Sequence, residues 1–423
     1  MITYTSPSVC QKREKIVDKM ENKVLIREFN EESDIEVVGK LEKNCEIGSK
    51  NGVALFTNMM ADPLCRIRFY AVHIMLVAEL REKRELVGVV RGCIKCVGTK
   101  FGGTYVKLGC ILGLRVSPTH RRMGIGLHLV KSVEEWMVRN GAHYTFLATE
   151  KNNVASTNLF TTKCNYVNFS SLVIFVQPVS LPLKSLSSDI KIEKLHVDQA
   201  ISLYNDRLKR KDVYPTDIDS ILKEKLSLGT WVSYFKEEKW FDLESKEKNG
   251  DVITKSTPSS WVIFSIWNYS CEAYKIHIRK PHDHHPFNKF IHATLTHAKE
   301  KIFPACLKML PMCSSSFGRN PFGFLFLYGF YGEGEKLGEL MKAVWSFASR
   351  LAENVKHCKV IMTELGVSDP LIQHVPKESS ISCIDDLWYL KKVNCLQADI
   401  DNKDELLKMM GQFGNVFVDP RDF

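Results

Sequence analysis

The sequence predicts a mixed α/β (α+β) fold: a mixed central sheet with flanking helices, followed by a second, degenerate unit of the same kind. Three observations predict it. Strand-like apolar runs alternate with amphipathic stretches of helical period along the chain. The 423 residues exceed what one ordinary core fills. The order of elements in the first half is partly echoed in the second, without a residue-level repeat.

Residues 1–22 read as a flexible leader. They hold no apolar h-region, so secretion is not expected, and Glu14 and Asp18 argue against an organelle transit peptide. The first unit spans 23–180. VLIREF (24–29) is a strand, and Ser33 is the expected N-cap of a helix over 34–46, with Ile35, Val37, Val38 and Leu41 as its apolar positions. LFTNMM and Pro63 lie in a poorly patterned stretch. VHIMLVAEL (72–80) and ELVGVVRGCIKCV (85–97) are strands joined by the charged turn REKR. A glycine-rich turn (98–103) leads to the long strand TYVKLGCILGLRV (104–116). A helix is predicted over 121–140, stopped by Gly141. HYTFLATE (143–150), NVASTNLFTTKC (153–164) and SSLVIFVQP (170–178) follow as strand, helix and strand. Pro178 and Pro182 punctuate a linker that ends the unit, assigned to 181–189.

The second unit spans 190–423. KIEKL, WVSYF, WVIFSIW, FGFLFLYGFYG (322–332), KVIMTEL and LWYLKKV read as strands. VDQAISLYNDRLKR, PTDIDSILKEKL, residues 287–303 and EKLGELMKAVWSFASRLAENV (335–355) read as helices, and 237–257 as a mobile polar loop.

Bulk properties narrow the function only coarsely. A net charge of +9 suits an anionic cofactor, a nucleic-acid-rich compartment or acidic partners, and selects none of them. Thirteen scattered cysteines, an odd number, suggest a reducing compartment with mostly buried thiols. Cys93 and Cys96 form a lone C-x-x-C without a second pair at zinc spacing. The histidine-rich stretch 277–297 lacks an i, i+4 pair tied to a third ligand, so no metal is assigned. No apolar run is long enough for a membrane span.

Residues 113–136, GLRVSPTHRRMGIGLHLVKSVEEW, carry the strongest chemical signal. A P-loop would end in Gly-Lys-Ser/Thr, but Leu127 and His128 follow Gly126. A Rossmann loop would place a third small residue where Leu129 stands. The remaining pattern, R-x-x-G-x-G from Arg121 to Gly126, sits at a strand–turn–helix junction. Unpartnered amides, the helix dipole, glycines that allow close approach, and two arginines together make a pyrophosphate seat. A solvated basic turn capped by glycines is the plainer alternative.

With its surroundings, this stretch resembles the Gcn5-related N-acetyltransferase (GNAT) superfamily. IREFNEESDIEVV resembles the family's opening, ILGLRVSPTHRRMGIG its central strand and pyrophosphate loop, and LATEKNNVASTNLFTTKCNY its downstream N-x-x-A/S-x-x-L-Y/F stretch. Asn153, Ser156, Leu159 and Phe160 fall in place there, with one residue added before Tyr166. NCEIGS, LFTNMMADPLCRIR, MLVAEL, ATEKNNVASTNLF and the terminal VFVDPRDF resemble the plant hookless-type N-acetyltransferases across both halves. The resemblance implies a GNAT fold over 23–180 and a GNAT-like second half without a cofactor loop. It also implies acetyl-CoA as co-substrate, a protein or histone-tail lysine as acceptor, and a role in plant growth and hormone response. Location would be nuclear and/or cytoplasmic, with no membrane partner and no sequence-specific nucleic-acid binding.

Carried over residue by residue, Leu114, Arg115 and Val116 would pair with pantetheine. Arg121, Arg122, Met123, Gly124, Ile125, Gly126 and Leu127 would hold the pyrophosphate, and Asn153 and Phe160 would flank the thiol. Glu150, at the end of a core strand, is the first candidate for the catalytic base and Glu79 the second; His120 and His143 are weaker. Phe160 stands where many members have a proton-donating tyrosine, so Cys164 and Tyr166 become the substitutes to consider. Asn165 replaces a frequent glycine and should tolerate a left-handed turn. Glu333 and Glu335 replace the arginines in the second half and would repel a pyrophosphate. A fold-retaining regulator without turnover and a small-amine acetyltransferase are the competing readings.

Overall fold

Alternating and β-branched apolar runs form sixteen strands among the described residues. The computed structural model describes residues 23–45, 48–50, 53–58, 62–99, 105–179, 187–238, 258–269, 275–279, 322–377, 381–393 and 413–423. The expected leader, most of the turn 98–103 and of the polar loop 237–257, and all but the start of the histidine-rich stretch lie outside the described residues, as does the helix expected over 287–303.

The first half contains β1 (Val24–Glu28), α1 (Ile35–Lys43), β2 (Gly48–Lys50), β3 (Val53–Asn58), β4 (Val72–Leu80), β5 (Glu85–Thr99) and β6 (Tyr105–Val116). It continues with α2 (Ile125–Arg139), β7 (Tyr144–Glu150), α3 (Val154–Asn158) and β8 (Val167–Pro178). The second half has β9 (Ile190–Lys194), α4 (Val197–Arg207), β10 (Val213–Pro215), α5 (Ile218–Lys223), β11 (Ser227–Phe235) and β12 (Trp261–Asn268). Then follow β13 (Lys275–Arg279), β14 (Gly323–Glu333), α6 (Leu337–Glu353), β15 (Cys358–Gly366) and β16 (Ser382–Lys392).

Two local expectations need correction. Asp34, not Ser33, occupies the cap position of α1. Its carboxylate accepts from the Asn30 amide at 2.9 Å and from Arg27 at 2.6 Å, and Ser33 donates to it at 3.1 Å. The poorly patterned stretch holds a strand: β3, ending at Asn58, pairs antiparallel with β13 from the other half, a long-range partner that no local pattern could reveal.

The main sheet runs β1-β4-β5-β6-β7-β16-β8-β15-β14-β12-β11-β9, with β10 added beside β5. Along this path only β6–β7 and β14–β15 are parallel. Read from either end, the order has the same pattern, with the antiparallel pair β16–β8 at its centre. Strand β16, late in the second half, lies between β7 and β8 of the first, and β8 in turn pairs with β15. The two halves therefore share one sheet through exchanged strands.

Helix α2 packs its apolar side, including Leu129, Val133 and Met137, on one face of the first half, and α6 packs on that face of the second. The opposite face carries one apolar cluster that spans both halves, from Val38 and Leu41 of α1 to Ile218 and Ile221 of α5. Arg91, fully buried on this face, donates to Glu42 at 2.7 Å and to the Pro63 carbonyl at 2.6 Å, which ties α1 and the following loop to β5.

The segment 413–423 completes the same core. Val416, Phe417 and Val418 are buried, and Phe423 stacks on Phe326 with centroids 4.4 Å apart. Asp422 accepts from Tyr70 at 2.5 Å and pairs with Lys95. Arg421 bridges Asp419 and Asp217, each at 2.7 Å, and lies over the Tyr70 ring. These partners come from both halves, a physical basis for the VFVDPRDF signature.

Candidate active site

The site begins with a bulge. On β5, Val89 opposes Arg115 and Arg91 opposes Leu112, so β6 carries an extra residue at Gly113–Leu114. Gly113 has φ +58°, and a Cβ there would lie 2.7 Å from Arg91 Nη1. Both the backbone conformation and the buried guanidinium require glycine. Beyond this region β6 parts from β7: the strands pair only from Leu108–Tyr144 to Cys110–Phe146.

The parting opens a cleft of about 760 Å³. On one wall, Ser117 donates its N–H to Val87 at 2.8 Å. Strand alternation then turns the main-chain groups of Leu114 and Val116 away from β5, toward the cleft. The Leu114 carbonyl accepts from Arg115 Nη1 at 3.0 Å, and the Val116 carbonyl from Arg121 Nε at 3.3 Å and Cys45 Sγ at 3.6 Å.

At the end of that wall the helix starts later than its apolar pattern suggests. Pro118–His120 form a 3₁₀ turn, Arg121 is extended, and α2 begins only at Ile125. Arg122 at φ +66° and Gly124 at φ +87° are left-handed. The N–H groups from Arg122 to Leu127 donate to no protein atom among the described residues. Alternating handedness followed by a helix N-terminus makes an amide nest with partial positive charge.

The other wall is the end of β7, α3 and the turn after it. Asn153 caps α3, its Oδ1 accepting from the Ser156 amide at 3.1 Å. The helix expected over 153–164 is split: residues Leu159–Lys163 form a π turn in which the Cys164 amide donates to Leu159, 3.2 Å away. This i→i+5 bond absorbs the extra residue seen before Tyr166. Asn165 closes the turn at φ +60°. Asn165→Val is expected to lower stability by about 1–2 kcal/mol and Asn165→Gly not to, measured by urea unfolding; equal losses would refute the turn.

The structure brings together Leu114, Arg115, Val116, Arg121, Arg122, Gly124, Ile125, Gly126, Leu127, Glu150, Asn153 and Phe160 around the cleft, and His120 with them. Met123 does not line it and is 45% exposed. Glu79 also lies elsewhere: buried on β4, it pairs with Arg27 at 2.7 Å and Arg84 at 3.6 Å, an ion pair of the sheet edge. Neither thiolate-protonating substitute is placed to act. The Tyr166 hydroxyl is buried and donates to Thr145 at 2.8 Å, and Cys164 is buried and outside the lining, with burial pushing its thiol up to about 11. Cys93 and Cys96 differ sharply in exposure, Cys93 being buried opposite Cys110 and Cys96 exposed.

Sequence reasoning missed two acids from the second half. Asp386 on β16 stands directly opposite Glu150, and Glu364 on β15 touches Asp386. Both are 6% exposed. Burial, then their mutual proximity, pushes Glu364 well above the usual carboxyl range, and burial pushes Asp386 up to about 7. Period-two spacing marks 384, 386 and 388 as one face, but only the strand exchange brings that face to β7.

The corresponding junction in the second half differs. Gly329, at φ +67°, repeats the bulge of Gly113. Glu333 accepts from Tyr331 at 2.6 Å and Arg210 at 2.9 Å, and the Lys336 amide donates to Ser260 Oγ at 3.2 Å. A Cβ on Gly334 would meet the Ser259 carbonyl at 2.2 Å.

Parted parallel strands beside a helix-start amide nest, on this sheet, define an acetyltransferase of the GNAT class. The Acetyltransferase (GNAT) family profile matches residues 57–166, and the chain belongs to that family. It is 35% identical to the "Probable N-acetyltransferase HLS1-like" of Arabidopsis thaliana over 95% of this chain and 99% of that one, and 36% identical to the "Probable N-acetyltransferase HLS1" of the same plant over 94% and 100%. Among solved structures, N-myristoyltransferase of Saccharomyces cerevisiae with bound myristoyl-CoA shares the fold, with TM-score 0.50 and 12% identity over 88% of this chain and 79% of that one. Among the described residues no helix is long and apolar enough to cross a membrane.

Proposed function

We propose that this acetyltransferase uses acetyl-CoA and transfers the acetyl group to the amine of a protein lysine by direct attack. The observation that carries the reading is the row of unpartnered amides from Arg122 to Leu127 at the mouth of the cleft. A diphosphate fits it: the nest supplies donors, and Arg121 and Arg122 are exposed beside it. The outward-turned main chain of Leu114 and Val116 suits an amide-bearing arm that adds like a strand. Acetyl-CoA, when bound, supplies the thioester that the amine attacks.

A lysine acceptor arrives protonated, and with an ordinary pKa near 10.4 its neutralisation at pH 7 costs about 4–5 kcal/mol. Glu150, lining the cleft at the end of β7, is the group to take that proton. Phe160 offers no hydroxyl to the departing sulfur, so the leaving group depends on its own stability as a thiolate. A histone tail is the first acceptor to test, and the family resemblance favours a regulatory role in plant growth and hormone response, in the nucleus or cytoplasm.

Glu150→Gln is expected to lower kcat by roughly 100-fold or more with little change in KM for acetyl-CoA, read as CoA release with histone-tail peptides. An unchanged rate and pH profile would remove Glu150 from the mechanism.

A further inference from the structure

The second half contributes carboxyl groups beside Glu150. Residues directly opposed on antiparallel strands share a face and lie about 5 Å apart at Cβ. Asp386 holds that relation to Glu150, and Glu364 follows across β8 in contact with Asp386. Glu364 accepts from the Trp388 indole at 3.3 Å. Ser170, opposite Trp388 on β8, keeps a buried hydroxyl with no hydrogen-bond partner among the described residues. The groups that act on the acid pair are Glu150 from β7, Trp388 from β16 itself and Asp422 from the C-terminal segment, which is already paired with Lys95. Leu172, opposite Asp386 on β8, is apolar.

We propose that Asp386 and Glu364 are positioning residues of the transfer reaction: with Glu150 they form one proton-accepting unit, of which two members come from the exchanged second half. This rests on the acetyl-transfer function proposed above. The acceptor's N–H bond breaks and its proton moves to Glu150, whose carboxyl is buffered by the two beyond it. The nitrogen lone pair then forms the new C–N bond as the C–S bond breaks; the nitrogen's second proton is released and reaches the departing thiolate through water, leaving the amide and the CoA thiol. Three carboxyls held close cannot all ionise independently, so the unit titrates as one group nearer neutrality than a lone glutamate does. That places the base close to the operating pH and assigns the second half a chemical role.

The test compares wild type, Asp386→Asn, Asp386→Glu and Glu364→Gln. In ligand-free protein at pH 6, infrared spectroscopy should show a protonated-carboxyl band that Asp386→Asn or Glu364→Gln reduces. With acetyl-CoA and a histone-tail peptide, the acid limb of the kcat/KM profile should move down by about one unit or more in Asp386→Asn and return toward wild type in Asp386→Glu. A purely structural role would lower the rate without moving the limb. If the band and limb are the same in all four proteins while calorimetry shows acetyl-CoA bound, the proposal is overturned and the transferase function stands. If acetyl-CoA does not bind and no CoA is released, both fail.

Discussion

Gly124→Asp should weaken acetyl-CoA binding by roughly 100-fold or more, about 3 kcal/mol, while leaving the far-ultraviolet spectrum and unfolding cooperativity intact. Two effects add. Gly124 sits at φ +87°, where a side chain is disfavoured, although aspartate is among the residues that visit this region. The new carboxylate would also stand at the start of a helix, where it would accept from the unpartnered amides itself and repel the diphosphate they would otherwise hold. Titration calorimetry with acetyl-CoA decides it, and a folded variant with wild-type affinity would move the diphosphate elsewhere.

The second large effect concerns the joint between the halves. Arg421 is 3% exposed and makes two bonds to Asp217, at 2.7 and 3.0 Å, and others to Asp419. Arg421→Ala strips Asp419, itself 3% exposed, of its guanidinium and leaves it the backbone N–H of residue 421 at 3.0 Å and the Lys95 ammonium at 3.6 Å among the described residues. Removing one partner of a buried pair costs about 3–5 kcal/mol, far more than an exposed ion pair. The loss should appear in both urea and thermal unfolding, and Arg421→Lys should recover part of it. A change within about 0.5 kcal/mol would mean that the network is not stabilising.

The same site predicts how stability follows pH. Burial alone would push Asp419 up, but Arg421 and Lys95 outweigh it and hold it at about 2. A carboxyl lowered in the fold contributes stability above its ordinary value near 4, and that contribution is lost as the pH falls toward 2. Asp386 works in the opposite sense. Raised to about 7, it contributes most below pH 4 and progressively less as the pH rises through 7. Asp386→Asn should therefore flatten the fall in stability between about pH 4 and 7, and Arg421→Ala should flatten the fall between about pH 4 and 2.

Local pattern made most elements readable. The glycine–arginine loop before the helix was legible because glycine spacing, arginines and the start of an apolar helical period are all local, and the structure adds the left-handed Arg122 and Gly124, with amides that have no partner among the described residues. The extra residue before Tyr166 was visible as a misfit, and the π turn at Leu159–Lys163 is its resolution. Glu79 looked comparable to Glu150 because both lie near the end of a core strand. What separates them is that Arg27, fifty-two residues away in sequence, takes Glu79 as an ion-pair partner.

The sequence by itself determined most of the strand and helix succession and the glycine- and arginine-bearing loop before the helix, because backbone preference and side-chain period act over a few residues. Only the tertiary structure decided that β16 enters the first half, that Asp386 faces Glu150, and that Arg421 and Asp422 lock the two halves at their common core. Those pairings join residues far apart in the chain through burial and hydrogen bonding, and nothing in the local alternation of apolar and polar side chains specifies which edge an inserted strand will join.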